Sequence, residues 1–185
     1  MPDIKDLIET TRSSKKVFNG KLLHVYSDEA NLPNGSVSSR EWIKHPGASA
    51  IVPIFENGDV MLIDQFRYPA KQIFLEVPAG KIDAGENPHQ TAERELFEET
   101  GLIAEEMHYI GHFFPAIGYA DEVIHIYVAM NITSGENKTD NDEFVQKKRM
   151  PFSKAIEMVH LGEINDGKTI CSLLRAQKYL EKKRK

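Results

Sequence analysis

Cysteine is almost absent: Cys171 is the only one in 185 residues, so no internal disulfide can form, and the chain suits a reducing compartment. Long apolar runs are missing too. Nothing approaches the roughly 18 consecutive apolar residues of a membrane span, and MPDIKDLIETTRSSKKVF at the start lacks the apolar core of a signal peptide. The expectation is a cytoplasmic protein with no membrane partner. Positive charge is in short supply: net charge is −5 with a pI near 5.8, which argues against nucleic acid as a general partner. An acidic chain that handles an anionic ligand must supply positive charge locally, through bound metal or particular arginines. Seven histidines are scattered without metal-ligand spacing, and His125, inside a strand-like run, reads as structural. What remains is ordinary for a globular protein, with 41% hydrophobic residues and room for one well-cored domain plus an extension.

The most informative stretch runs from Gly80 to Leu102, GKIDAGENPHQTAERELFEETGL. It reads as a loop feeding a helix over 88–100. Asn87 suits the N-cap, Pro88 the first helical position, Gln90 the reciprocal capping-box partner, and Gly101 the left-handed residue past the end. Glu95, Glu98 and Glu99 then fall at i, i+3 and i+4 on one face, and Ala92 and Leu96 form an apolar stripe, so the helix can pack while its acidic face stays open. Like charges so spaced cost an isolated helix about 0.2–0.5 kcal/mol per pair. A hard divalent cation such as Mg²⁺ or Mn²⁺ would relieve that repulsion, because it takes carboxylate oxygens and tolerates water elsewhere. The alternative is a solvated acidic helix face.

The spacing Gly80-x₅-Glu86-x₇-Arg94-Glu95-Leu96-x-Glu98-Glu99-x-Gly101-Leu102 resembles the signature of the Nudix hydrolases at every defined position. The resemblance implies an α+β fold, an α/β/α sandwich with a mixed sheet, and metal-dependent hydrolysis of a nucleoside diphosphate linked to a further group. It implies that Glu95, Glu98 and Glu99, with the backbone carbonyl of Ala79, hold Mg²⁺ (or Mn²⁺), Glu98 and Glu99 also sharing in catalysis, while Glu86 and Arg94 brace loop and helix.

Two further strings, Gln65-Phe66-Arg67-Tyr68-Pro69 and Leu75-Glu76-Val77-Pro78-Ala79-Gly80, with Arg40-Glu41 ahead of Lys44-His45-Pro46-Gly47-Ala48, resemble the ADP-ribose and nucleoside diphosphate sugar pyrophosphatases of that family. By this resemblance Arg40 and Arg67 bind the substrate's phosphates, a role that suits a permanently charged, forked guanidinium. Glu76 would pair with one of them or reach a ribose hydroxyl. The loop Pro115–Glu122 matches that branch at Gly118, Tyr119 and Glu122, its proline standing at Pro115 where the branch has it at the place of Ile117. Glu122 is implied as general base or further metal ligand. The resemblance also implies a homodimer built by an N-terminal β-rich extension over 1–47, ahead of a Nudix domain over 48–185. The expected reaction cleaves ADP-ribose or a related nucleoside diphosphate sugar, of GDP-mannose or UDP-glucose type, to a nucleoside monophosphate and a sugar phosphate. The competing readings are hydrolysis of dinucleotide polyphosphates and a Nudix-fold sensor that binds without turnover.

Along the rest of the chain, residues 3–14 suggest a short helix. Segments 49–55 and 59–66 suggest a hairpin about Asn57-Gly58, segments 106–114 and 123–130 suggest strands, and from Met150 onward the pattern is of amphipathic helices. Trp42 suits packing or stacking on a base, Cys171 a buried structural thiol, and TSGENKTDNDE a polar loop.

Overall fold

The computed structural model describes residues 4–135 and 144–183, and the chain divides into two compact units. The first comprises residues 1–46 with 116–122, the second 47–115 with 123–185.

In the first unit a short 3₁₀ turn, Ile4–Leu7, precedes three antiparallel strands in the order β1 (Thr10–Asn19), β2 (His24–Asn31), β3 (Val37–Lys44). The helix expected over 3–14 is therefore confined to one turn. From Thr10 the chain pairs with β2, Thr10 opposite Asn31 and Thr11 opposite Ala30, where β-branched side chains suit a pleated ladder better than a helix. Two tight turns join the strands. Gly20 N–H donates to Leu23 O, and Gly35, at φ 83°, closes the Pro33-Asn34-Gly35 turn with its N–H on Leu32 O. Trp42 stacks on Tyr26, with centroids 4.9 Å apart, and donates from Nε1 to Asp28 Oδ2 at 2.8 Å, so packing accounts for it. The 116–122 segment adds to this unit through Ile43 N–H to Tyr119 O at 2.8 Å and a parallel bridge between Ile43 and Ala120.

The second unit is built on a four-stranded mixed sheet in the order β7 (Ala79–Lys81), β4 (Ala48–Pro53), β9 (Ile124–Ser134), β8 (Leu102–Phe113). Its central pair, β4 and β9, is parallel and the outer pairs are antiparallel. Every residue of β4 is buried, as a strand covered on both faces requires. Ala50 and Val52 join the cluster formed by Ala155, Ile164, Leu173 and Ala176 of the C-terminal helices α2 (Phe152–His160) and α3 (Gly167–Lys183) and their connection. Ile51 turns the other way, onto Ala92 and Leu96 of α1 (Pro88–Thr100) and Tyr127 of β9. The result is an α/β/α sandwich, in which each fully buried large aliphatic side chain contributes about 1.5–3 kcal/mol. Cys171 on α3 is only partly buried, and Leu174 is 37% exposed on the helix face away from Leu173.

A second antiparallel sheet runs β10 (Val145–Pro151), β5 (Asp59–Arg67), β6 (Gln72–Glu76). The Asn57-Gly58 turn forms, with Gly58 at φ 84° and Phe55 N–H bonded to Asp59 O, but the hairpin expected around it does not extend. After a single bridge between Ile54 and Val60 the two strands part, β4 to the mixed sheet and β5 to its pairing with β10 and β6. Partners distant in sequence override the local hairpin signal. Most of the expected polar loop TSGENKTDNDE lies outside the described residues, and β10 follows it.

Candidate active site

The site is built outward from α1. Asn87 Oδ1 accepts from His89 N–H and Gln90 N–H, each at 3.0 Å, and Gln90 Oε1 accepts from Asn87 N–H at 3.0 Å, closing the capping box. Gly101, at φ 69°, donates to Phe97 O at 2.7 Å and ends the helix. Ser49 Oγ on β4 donates to Pro88 O at 2.6 Å, fixing the first turn to the sheet.

On this helix Thr91, Glu95 and Glu99 make one buried row and Ala92, Leu96 and Thr100 the next. The acidic face is thus less open than its sequence suggests. Glu95 is 7% exposed and Glu99 2%, and the Glu98 side chain is the most accessible of the three at 35%. Strand β7 is the reason. A Cβ on Gly80 would stand 1.8 Å from Glu95 Oε1, so any other residue there would displace that carboxylate from its present place. One residue earlier, Ala79 N–H donates to Glu99 Oε2 at 2.8 Å.

Arg94 is the local cation. Its Nη1 donates to Glu95 Oε1 at 2.7 Å and to Glu98 Oε2 at 2.8 Å, Nε and Nη2 grip Glu86 at 2.8 and 3.0 Å, and Nη2 also reaches Lys81 O at 3.1 Å. Glu86 accepts in addition from Thr91 Oγ1 at 2.8 Å. The guanidinium first, and the Thr91 hydroxyl second, hold the Glu86 carboxyl down at about 2. Glu86 and Arg94 accordingly brace the loop against the helix, as expected. Among the described residues no three His, Cys, Asp or Glu side chains converge as a ready metal cluster, because these acids are drawn to Arg94 and to the Ala79 amide. The donor set still fits a hard cation: Glu95, Glu98 and Glu99 offer oxygen only, and with Glu86 they outnumber Arg94 in charge.

Beside this cluster lies a second charged group, mostly missed in the sequence. Arg67, ending β5, grips Glu76, ending β6, with two parallel hydrogen bonds, Nε to Oε1 at 2.7 Å and Nη2 to Oε2 at 2.6 Å. Of the two roles open to Glu76, pairing with an arginine is the one seen, and the carboxylate is 2% exposed. Lys168 Nζ donates to Glu76 Oε2 at 3.0 Å and to Val77 O at 3.3 Å, and lies 3.2 Å from Asp166 Oδ2. Burial pushes the Glu76 carboxyl up, but Arg67 and Lys168 outweigh it and hold the group below its usual range. Asp166 caps α3, accepting from Thr169 N–H at 2.9 Å and Thr169 Oγ1 at 2.6 Å. The run Asp166-Gly167-Lys168-Thr169 carries a legible cap signal. Nothing local shows that this cap lands on Val77.

Arg40 and Glu122 belong to the first unit. Arg40 is held bidentately by Glu9, Nε to Oε2 at 2.8 Å and Nη2 to Oε1 at 2.6 Å, and Nη1 donates to Ser38 Oγ and Ser39 O. Glu122 lies 3.6 Å from His45 Nδ1, and Asp121 Oδ1 accepts from His45 N–H at 2.7 Å, which orders the end of the 116–122 segment. His125, on β9, sits against Tyr109 and His112. Burial first, then the neighbouring His112, lowers its affinity for a proton, in keeping with a structural role.

A glycine-opened strand laid over a capped helix with three carboxylates, in an α/β/α sandwich, defines the Nudix class, and this chain belongs to the Nudix hydrolase family, the NUDIX domain profile matching residues 44–173. Within it, the chain is 39% identical over 168 residues to the ADP-ribose pyrophosphatase of Bacillus subtilis (strain 168), covering 90% of this chain and 91% of that one. It is 37% identical over 179 residues to the methanol dehydrogenase activator of Bacillus methanolicus, covering 95% and 97%. A solved ADP compounds hydrolase superposes with a TM-score of 0.84 over 95% of each chain at 23% identity, a likeness of fold.

Proposed function

We propose that the protein hydrolyses the pyrophosphate bond of ADP-ribose, or of a related nucleoside diphosphate sugar, to a nucleoside monophosphate and a sugar phosphate, with Mg²⁺ or Mn²⁺ as cofactor. The observation that carries this reading is the pair Glu95 and Glu99 set under Gly80 and Ala79, with Glu98 joined to Glu95 through Arg94, and with Arg67 and Glu76 close by; the 39% identity to an ADP-ribose pyrophosphatase supports the substrate. Glu95, Glu98, Glu99 and the Ala79 carbonyl would hold the metal, which supplies neutralisation of phosphate charge and activation of water. Arg67 and Arg40 bind phosphate oxygens. Glu122 would serve as general base or as a further metal ligand, and Glu98 and Glu99 would complete the catalytic group, a box glutamate being the alternative base. The 1–47 extension forms a homodimer, the 48–185 segment carries the chemistry, and the lone Cys171 supports a cytoplasmic location.

The test is phosphate release, through a coupled phosphatase, from ADP-ribose, GDP-mannose and UDP-glucose with and without Mg²⁺. ADP-ribose is expected to be turned over fastest, only with divalent metal, and Glu99→Gln is expected to lower turnover by about two orders of magnitude. A second reading is carried by the activator from Bacillus methanolicus, in which the chain acts on a dehydrogenase or senses its ligand without turnover. No hydrolysis of any of the three substrates, together with ADP-ribose binding indifferent to Glu99→Gln, would favour it.

A further inference from the structure

The first turn of α3 holds the chain between the two halves of the site. Thr169 Oγ1 accepts from Val77 N–H at 3.0 Å and Lys168 Nζ donates to Val77 O at 3.3 Å, so consecutive residues of one helix take both peptide groups of Val77. Glu76 stands on one side of Val77 and Pro78-Ala79 on the other. Lys168 is itself mostly buried, with 13% of its side chain exposed, and it also donates to Glu76 Oε2. Arg67 differs: its side chain is 42% exposed, Nε and Nη2 are committed to Glu76, and Nη1 has no hydrogen bond among the described residues. That edge is left to take a phosphate oxygen.

Charge decides what Lys168 does there. Arg67 and Lys168 balance Glu76 and Asp166, leaving the four groups neutral before substrate arrives. Without Lys168 the cluster is net negative. Glu76 then spends its whole charge on Arg67, and an incoming pyrophosphate meets a neutralised guanidinium beside a surplus carboxylate.

We propose that Lys168 is a positioning residue for substrate binding, sharing Glu76 so that Arg67 keeps positive charge and a fixed orientation toward the pyrophosphate, an inference that rests on the substrate-binding role proposed above for Arg67. Its effect belongs to binding and is transmitted through Arg67.

The experiment measures Kd for ADP-ribose by calorimetry in EDTA, and KM and kcat with Mg²⁺, for wild type, Lys168→Met, Lys168→Arg, Arg67→Ala and the Lys168→Met/Arg67→Ala double variant. Lys168→Met is expected to raise Kd and KM by about tenfold with kcat within about threefold of wild type. Lys168→Arg, which keeps the charge, is expected to recover most of the loss. In the Arg67→Ala background Lys168→Met is expected to change Kd by less than about twofold, because the group it acts through is gone. If Lys168→Met melts too early to assay, Lys168→Gln, which keeps a donor without the charge, carries the same test. An unchanged Kd, a fall in kcat with KM unchanged, or an equal loss in the Arg67→Ala background overturns the proposal while the function stands. Wild type that neither binds nor hydrolyses ADP-ribose overturns the function, and the positioning role falls with it.

Discussion

Glu86 and Arg94 show how single side chains make an acidic cluster tolerable. Five donor contacts from one guanidinium are spread over Glu86, Glu95, Glu98 and the Lys81 carbonyl. Spacing alone marks these residues as neighbours. It does not show that Arg94 divides itself among three carboxylates, nor that Glu95 and Glu99 are nearly buried, because burial is decided by strand β7 crossing above them. The Glu86 carboxyl, held at about 2 against an ordinary 4.5, makes stability depend on pH in a defined sense. A depressed carboxylate stabilises the fold above its unfolded pKa and loses that contribution as pH falls through the folded one. The wild type is therefore expected to melt above Glu86→Gln at neutral pH, and the gap between their Tm values is expected to close as pH falls from about 4.5 toward about 2. Thermal melts of both proteins across that window check the sign, and a gap that widens in acid would contradict it.

At the scale of elements, α1 was legible to the residue. Its cap, proline, reciprocal glutamine and terminal glycine all act locally, and local chemistry is what a sequence displays. The capping box is accordingly a separable source of stability. Asn87→Ala removes the acceptor for His89 N–H and Gln90 N–H and is expected to cost about 1 kcal/mol, or about 2–4 °C in Tm for a chain of this size. Asn87→Asp, which restores an acceptor, should recover most of it in the same melts. The hairpin at Asn57-Gly58 and the helix over 3–14 fared differently. In the first, a correct turn joins strands that leave for different sheets. In the second, only Ile4–Leu7 makes a helical turn and from Thr10 the chain pairs with β2. Both depend on partners far along the chain. The same holds for α3, whose amphipathic pattern was plain but whose first turn meets Val77 across 92 residues, from Thr169 Oγ1.

On the scale of the whole molecule, the first unit raises the question of what covers it. All ten residues of β1 are exposed, Val17 at 53% and Phe18 at 55%, and Ala30 is the only buried hydrophobic residue described in that sheet. Three strands need an apolar face covered to be stable. The proposed homodimer would meet that need. Sedimentation is expected to give a dimer for the wild type and a monomer, or a concentration-dependent mixture, for the Val17→Asp/Phe18→Asp double variant. A monomeric wild type would remove the dimer from the functional reading. The sequence by itself determined the helix that carries the acids, the hydrolase family that its motif marks, and the strand-rich start, because periodicity, caps and motif spacing are written in contiguous residues. Only tertiary structure decided that Glu95 and Glu99 are covered by a strand whose Gly80 leaves room for the Glu95 carboxylate, that Glu76 is given to Arg67, and that Lys168 and Asp166 join them. Those contacts close chain separations that no local pattern encodes, and charges choose their partners only once the backbone has brought them within a few ångströms.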